Sequence, residues 1–195
     1  MLKIGITGNI GSGKTTVSRI FEQIGIPVYD ADSHAKSIMI DNTFLVASIK
    51  ILLGEEAYTA DEQLNRAFVA QKVFTDPTLL AKLNALVHPA VFNDFESWFN
   101  KQNAPYVLKE AALLYESDSY KTLDKIIVVS ANMKLRLQRS ITRDASNTAA
   151  IEARMKNQMP EEEKVKRADF VIYNNENDLL IPQVLSIHKQ ILSSV

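Results

Sequence analysis

With 195 residues, of which 46% are hydrophobic, the chain is long enough to bury a substantial core and to form one globular domain with an insertion. Its 22 Lys and Arg residues nearly balance its 23 Asp and Glu residues, so the formal net charge of -1 provides no general attraction to nucleic acid or to an anionic membrane. The absence of cysteine excludes disulfides and thiolate metal sites and is compatible with a reducing cytosol.

The sequence also lacks the usual features of exported and membrane proteins. Residues Met1 to Lys3 run directly into the first predicted strand, and no apolar run approaches the length of a membrane span. We therefore expect a cytoplasmic protein with neither nucleic acid nor membrane as a partner. The oligomeric state stays open, because an apolar helix face can be buried within a subunit or between subunits.

The first predicted strand, over residues 3–7, leads into a glycine-rich segment. From Gly8 to Thr15 the sequence GNIGSGKT matches the pattern G-x-x-x-x-G-K-[ST] at every fixed position. Apolar residues at helical spacing follow until Gly25, which predicts a helix directly after the segment. A strand, a phosphate-binding loop and a helix in this order predict a nucleoside triphosphate site, and they favour it over an ordinary glycine-rich turn.

The chemistry of this loop explains its spacing. Glycines let backbone N–H groups turn inward as a nest for anions, Lys14 can reach the β- and γ-phosphates, and the Thr15 hydroxyl can ligate Mg²⁺. The N-terminal dipole of the following helix adds positive potential. The candidate nucleotide-binding residues are Gly8, Gly11, Ser12, Gly13, Lys14, Thr15 and Thr16.

Further strands are predicted over residues 26–30, 106–110, 124–130 and 169–173, and they alternate with helical stretches, the last over about 178–192. This alternation is typical of a parallel sheet with helices on both faces. The predicted fold class is therefore α/β, a P-loop NTPase-type three-layer parallel sheet. The last helix is expected to face the core with Leu179, Leu180, Val184, Ile187 and Ile191.

Two segments interrupt the alternation. Residues 33–104 carry several helical patterns and almost no strand signal, which predicts a helical insertion beside the sheet. Residues 138–164 are polar and basic, which predicts a lid over the phosphate site. The core of the single domain is then expected to comprise residues 1–32, 105–137 and 165–195.

Acidic residues follow the second strand, where the carboxyl ends of parallel strands place ligands. Asp32 in Asp30-Ala31-Asp32 is the preferred proton acceptor for a hydroxyl substrate, and the alternative is that it N-caps the next helix. Asp30 is either a group near Mg²⁺ or a turn residue.

Basic and histidine residues supply the remaining candidates. Arg139 and Arg143 enter the predicted lid and are expected to stabilise charge on a transferring phosphoryl group, with Arg154 a weaker candidate. Lys134 and Arg136, on the same helix, are balanced between that role and an ordinary solvated face. His34 is favoured as a surface residue, whereas His88, before Pro89, is expected at a helix junction and is a candidate for the acceptor pocket.

The sequence resembles the dephospho-CoA kinases, a family of P-loop kinases, over nearly its whole length. Each later segment is weakly specific alone, but their order and spacing together are specific. The matching segments are residues 4–8 with 11–15, 30–32 with Ala35 and Lys36, 86–89, 113–116, 139–144, Gln158, 168–172, and Asn174 with Asn175.

This resemblance implies transfer of the ATP γ-phosphoryl group to the ribose 3′-hydroxyl of 3′-dephospho-CoA, the last step of coenzyme A synthesis. It also implies a core sheet, a helical CoA-side domain and a lid. On this template Asp32 is the proposed base, and Asn174 and Asn175 lie near the adenine of ATP.

The chain departs from the family at several positions. Lys109-Glu110 stands where many relatives end the third strand in Asp, so a role for Glu110 beside Mg²⁺ is open. Lys36 replaces a common Arg, and Tyr173 replaces a common polar residue. The alternatives are another small-molecule kinase, acting on a nucleoside, nucleotide or shikimate-like acid, or a P-loop switch that transfers no phosphoryl group.

Overall fold

The computed structural model describes residues 1–74, 76–144 and 148–194. Residue 75 of the predicted insertion and residues 145–147 of the predicted lid lie outside this description. Within it, a five-stranded parallel sheet has the order β2-β3-β1-β4-β5. The strands are β1 (Leu2–Thr7), β2 (Val28–Asp30), β3 (Tyr106–Glu110), β4 (Lys125–Ser130) and β5 (Phe170–Tyr173). The predicted α/β fold class is confirmed.

Helices fill the connections between the strands. They are α1 (Lys14–Gln23), α2 (Ala31–Asp41), α3 (Thr43–Leu53), α4 (Arg66–Phe74), α5 (Pro77–Phe99), α6 (Met133–Asp144), α7 (Thr148–Lys156), α8 (Glu161–Arg167) and α9 (Leu180–Leu192). Two short 3₁₀ helices span Glu55–Ala57 and Ser119–Thr122. In the described part of the chain, no helix is both long and apolar enough to cross a bilayer.

The chain divides into two compact units. The first comprises Met1–Asp30 and Gln102–Val195, and it contains the sheet. Its core is formed where α1 and α9 pack on the central strands, since Phe21, Val184 and Ile191 are buried together with the side chains of β1. Apolar burial of this kind is the main stabilising term of a sheet covered by helices.

One residue predicted on the core-facing side of α9 lies elsewhere. Leu179 is 73% exposed, whereas Val184, Ile187 and Ile191 are buried as expected. The reason is that Leu179 precedes α9 in extended conformation, so the helical period does not apply to it. The prediction that Leu179 faces the core is therefore wrong.

The second unit comprises Ala31–Lys101 and is helical. Its own core joins residues from α3, α4 and α5, with Ile49 fully buried. Side chains define two helix starts, because Asn42 accepts from the Leu45 N–H and Asp76 accepts from the Thr78 and Leu79 N–H groups.

The long helix α5 contains His88 and Pro89 in its interior. The prediction of a helix junction at these residues is therefore wrong. A proline removes one backbone hydrogen bond, and the burial of Leu83 and Val87 in the core of this unit offsets that loss.

The sheet register places the candidate site. Asp30 of β2 and Ile6 of β1 both lie opposite Glu110 at the end of β3. Ser130 at the end of β4 lies opposite Tyr173 at the end of β5. Because all five strands are parallel, the residues that follow them gather along one edge of the sheet.

Candidate active site

The phosphate loop connects β1 to α1 and begins with Gly8. Two of its glycines have backbone conformations that other residues rarely adopt, with φ of 79° at Gly11 and 92° at Gly13. Neither position has room for a side chain. A Cβ atom at Gly11 would collide with the backbone of Arg136, and one at Gly13 would collide with the Asn174 amide. The GxGK spacing is thus required by conformation and by close packing.

The loop retains polar groups that suit an anion. No side chain of the described residues caps the N-terminus of α1, whose N-cap residue is Gly13. The buried Ser12 hydroxyl likewise has no hydrogen-bond partner among the described residues. Lys14 lies over the loop, and its ammonium donates to the Gly8 carbonyl oxygen over 3.1 Å. Backbone N–H groups, a helix N-terminus and a lysine together provide the arrangement that binds phosphate oxygens.

The Thr15 hydroxyl lies against a carboxylate. Thr15 Oγ1 donates to Glu110 Oε1 over 2.8 Å, and Glu110 is only 8% exposed. A hydroxyl and a carboxylate are the hard oxygen ligands that Mg²⁺ prefers, in a site that phosphate oxygens and water complete. The departure at Glu110 therefore leaves an acidic group beside Thr15, with Asp30 next to it across the sheet.

Asn174 supports the loop from the end of β5. Its side-chain amide donates to the Ser12 carbonyl oxygen over 2.7 Å, and its backbone N–H donates to Ser130 O over 2.8 Å. The Arg139 guanidinium donates to the Asn174 carbonyl oxygen over 3.0 Å. Asn174 thus contacts both the loop and the helix that enters the predicted lid.

Asn175 belongs to a neighbouring polar cavity of about 610 Å³. Its side chain is fixed, because it accepts from the Asn132 N–H and donates to Asp178 Oδ2, each over less than 3 Å. The cavity is lined by Asn132, Lys134, Leu135, Gln138, Asn175, Glu176, Asn177 and Asp178. It offers polar groups at the carboxyl edge of the sheet, close in sequence to Asn174.

Arg136 does not belong to a solvated face. It is buried, its Nε donates to the Ala131 carbonyl oxygen over 2.9 Å, and its guanidinium forms an ion pair with Glu161 over 3.0 Å. The interpretation of Arg136 as a solvated charge is wrong, because its backbone packs on Gly11 and its side chain turns inward to Glu161. Lys134, Arg143 and Arg154 are exposed, and Arg139 is half-buried.

The second unit holds the remaining candidates. Asp32 is exposed in the first turn of α2, inside the helix rather than before it. This position argues against the N-cap alternative. His34 Nδ1 lies 2.8 Å from Asp94 Oδ2. His88 is exposed on α5, and Lys36 is exposed on α2.

Buried Lys164 forms an ion pair with Glu116, which spacing along the sequence could not identify. Lys164 is fully buried, and its ammonium contacts Glu116 Oε1 over 2.9 Å and donates to the Ala112 carbonyl oxygen over 3.2 Å. Glu116 also accepts from the Met159 N–H over 2.8 Å. Burial acts to raise the pKa of Glu116, but the hydrogen bonds from Met159 and Lys164 outweigh it and hold that pKa below its ordinary value.

Comparisons with known proteins agree with this geometry. A family model described as dephospho-CoA kinase matches residues 2–179. A dephospho-CoA kinase of Bacteroides fragilis (strain YCH46) is 36% identical over 187 residues, which make up 95% of this chain and 91% of that protein. The crystal structure of TT1252 from Thermus thermophilus has a TM-score of 0.86 and 34% identity, covering 100% of this chain and 97% of that one. The dephospho-CoA kinase from Campylobacter jejuni has a TM-score of 0.70 and 25% identity, covering 98% of each chain. The loop, the sheet and these matches together lead to one conclusion: the chain belongs to the dephospho-CoA kinase family of P-loop kinases.

Proposed function

We propose that this chain transfers the γ-phosphoryl group of ATP to the ribose 3′-hydroxyl of 3′-dephospho-CoA, giving coenzyme A and ADP. The observation that carries the proposal is the family match over residues 2–179, which includes the phosphate loop, the helical segment and the predicted lid. The intact loop geometry supports the nucleotide half of the reaction. The alternatives of a different acceptor or of a switch have no comparable support.

The ATP phosphates bind in the phosphate loop. The N–H groups that follow Gly11 form the anion nest, Lys14 reaches the β- and γ-phosphates, and Thr16 lies in the first turn of α1. Thr15, with Glu110 beside it, would hold Mg²⁺, which when bound would neutralise charge on the phosphates. These roles fit the donor set of the site, in which hydroxyl and carboxylate oxygens meet.

The adenine of ATP lies near the segment that follows β5. Asn175 lines the cavity of about 610 Å³ there. The side chain of Asn174 donates to the Ser12 carbonyl oxygen, so its contribution to nucleotide binding is support of the loop. The family resemblance and the cavity both support this placement.

The acceptor hydroxyl loses its proton to Asp32. In this step the ribose 3′-oxygen forms a bond to the γ-phosphorus, the bond from that phosphorus to the ADP oxygen breaks, and the hydroxyl proton moves to the Asp32 carboxylate. Arg139 and Arg143 donate hydrogen bonds to the transferring group and stabilise its charge. His88 contacts the acceptor. Asp32 is exposed in the first turn of α2.

The proposed setting is the cytoplasm, with 3′-dephospho-CoA as the small-molecule partner and no nucleic acid partner. The near-neutral charge supports the second point, because phosphate backbones are bound through an excess of Lys and Arg.

A comparison of four acceptors tests the proposed function. ADP release is measured with ATP and Mg²⁺ in the presence of 3′-dephospho-CoA, adenosine, AMP or shikimate, each at the same concentration. We expect a clear preference for 3′-dephospho-CoA. A preference for one of the other three acceptors would replace this proposal with that kinase activity, and ADP release without any acceptor dependence would support a switch.

A further inference from the structure

The connection between α7 and α8 is hydrogen-bonded to the phosphate loop. The backbone N–H of Ile10 donates to Gln158 Oε1 over 2.8 Å. The Asn9 side-chain amide donates to the Met159 carbonyl oxygen over 3.2 Å. On the other side, the Met159 N–H donates to Glu116, which is paired with buried Lys164. Gln158 and Met159 are thus held between the loop and the segment that follows β3.

The hydrogen bond from Ile10 acts on the shape of the loop. Because this N–H is directed to Gln158, it is not one of the donors that the loop offers to phosphate. Gln158 is only 8% exposed, so water does not readily replace its amide oxygen. A backbone N–H that loses its only acceptor in such a place carries a free-energy cost, and the loop relaxes to find another partner.

The same bond connects the loop to the end of the predicted lid. Gln158 lies near the carboxyl end of segment 138–164, and Arg139 lies near its amino end, bonded to Asn174 O. Asn174 in turn holds Ser12 of the loop. Both ends of the segment are therefore hydrogen-bonded to the loop. Gln158 bonds directly to Ile10, whereas Arg139 connects to Ser12 through Asn174.

We propose that Gln158 is a positioning residue for phosphoryl transfer, which fixes the loop relative to the lid so that the lid arginines meet the γ-phosphate held by the loop. This inference rests on the proposed kinase function, because only a transferred phosphoryl group gives the alignment a kinetic consequence. It assigns to Gln158 a role that involves no contact with substrate. Misalignment of reacting groups lowers the rate of the chemical step more than it lowers ground-state binding.

Two substitutions distinguish the contribution of the acceptor oxygen from that of the rest of the Gln158 side chain. Gln158→Met has a similar length but no oxygen to accept from Ile10, whereas Gln158→Glu keeps an acceptor in the same place and adds a negative charge near the triphosphate. We expect Gln158→Met to lower kcat with 3′-dephospho-CoA by about tenfold to hundredfold and to leave ATP affinity within about threefold. We expect Gln158→Glu to retain kcat within about threefold and to raise the KM for ATP, because like charges repel.

Amide hydrogen exchange provides a measurement independent of catalysis. We expect the Ile10 amide to exchange at least about tenfold faster in Gln158→Met than in the wild type, and to stay protected in Gln158→Glu. Gln23→Met, an equivalent change at an exposed position of α1, is the matched control and should change neither kcat nor the exchange rate of the Ile10 amide. If Gln158→Met does not fold, Gln158→Asn, which withdraws the acceptor by one methylene group, is measured with the same expectation.

The outcomes are distinct. Equal losses of kcat and ATP affinity in Gln158→Met, or wild-type values of kcat and of Ile10 exchange, would overturn the positioning role. A loss of kcat in Gln158→Glu as large as that in Gln158→Met would also overturn it, because the acceptor atom would then be irrelevant. A wild-type protein that does not phosphorylate 3′-dephospho-CoA would overturn the proposed function instead, and the exchange at Ile10 would still test the hydrogen bond to Gln158.

Discussion

Thr15 Oγ1 and Glu110 Oε1 are joined by a hydrogen bond of 2.8 Å, which links the start of α1 to the carboxyl end of β3. The contact brings together a hydroxyl and a carboxylate from residues 95 positions apart in the sequence. Glu110 therefore stands beside the one hydroxyl that the loop pattern reserves for Mg²⁺. We infer that the glutamate that departs from the resemblance supports the proposed Mg²⁺.

We expect Glu110→Gln to raise the Mg²⁺ concentration needed for half-maximal activity by about tenfold, because an amide is a weaker ligand and a weaker acceptor for metal-bound water. A Mg²⁺ titration of initial rate at saturating ATP measures this effect. Glu22→Gln, at an exposed position of α1, is the control for loss of one negative charge. An unchanged Mg²⁺ requirement in Glu110→Gln would remove Glu110 from the metal site.

Asp32→Asn is expected to lower turnover by roughly two decades or more while ATP affinity stays near the wild-type value, because the amide cannot accept the hydroxyl proton. Steady-state rates with 3′-dephospho-CoA and nucleotide binding by calorimetry separate the two effects. Asp41→Asn provides the comparison, since Asp41 is an exposed carboxylate on the same helix. A normal rate in Asp32→Asn would withdraw the assignment of the base.

Asn174→Ala should weaken the loop without touching its glycines or lysine. The substitution leaves the Ser12 carbonyl oxygen without its donor, which we expect to reduce the free energy of unfolding by about 1–3 kcal/mol and to raise the Kd for ATP. Denaturant unfolding measures the free energy of unfolding and calorimetry measures the Kd for ATP. Asn103→Ala, at an exposed position, is the control. Unchanged ATP affinity would show that the loop holds its shape without Asn174.

The ion pair between Glu116 and buried Lys164 predicts a dependence of stability on pH. The pKa of Glu116 in the folded protein is held below the ordinary value of 4.5 by the Met159 N–H and the Lys164 ammonium, which outweigh burial. A carboxyl whose pKa is lowered by folding contributes stability above its unfolded pKa and loses that contribution as the pH falls through the folded value.

Glu116→Gln should therefore be less stable than the wild type at neutral pH, by about 1–3 kcal/mol. The difference in free energy of unfolding between the two proteins should shrink as the pH falls below about 4.5. Denaturant unfolding at a series of pH values measures it, with Glu162→Gln as the exposed control on α8. A difference that stays constant down to strongly acidic pH would contradict the role given to Lys164 and Met159.

The strand, loop and helix at the start of the chain could be predicted because their signals are local. Apolar alternation, the GxGK spacing and the helical period all lie within residues 3–25. The same reasoning recovered the five strands, with bounds that differ by up to two residues. Local signals do not fix the residue at which a helix begins, so the helical period wrongly predicts Leu179 in the core although it precedes α9.

The partners of polar residues could not be predicted, because they lie far away in the sequence. Helical spacing grouped Arg136 with Arg139 and Arg143, but it could not reveal that Glu161 pairs with Arg136. The hydrogen bond from Ile10 to Gln158 spans 148 positions, and the one from Met159 to Glu116 spans 43. No period or motif spacing relates residues at such separations, so these contacts emerge only from the fold.

The proposed function requires that the γ-phosphoryl group of ATP move to the 3′-oxygen of 3′-dephospho-CoA. The most direct measurement is a single turnover with γ-labelled ATP, excess enzyme and 3′-dephospho-CoA, followed by separation of the products and Lys14→Ala as the inactive control. We expect the label in coenzyme A, at the ribose 3′-phosphate, with no transfer by Lys14→Ala. Label recovered as inorganic phosphate, or 3′-dephospho-CoA left unmodified while ATP is consumed, would rule out this transfer.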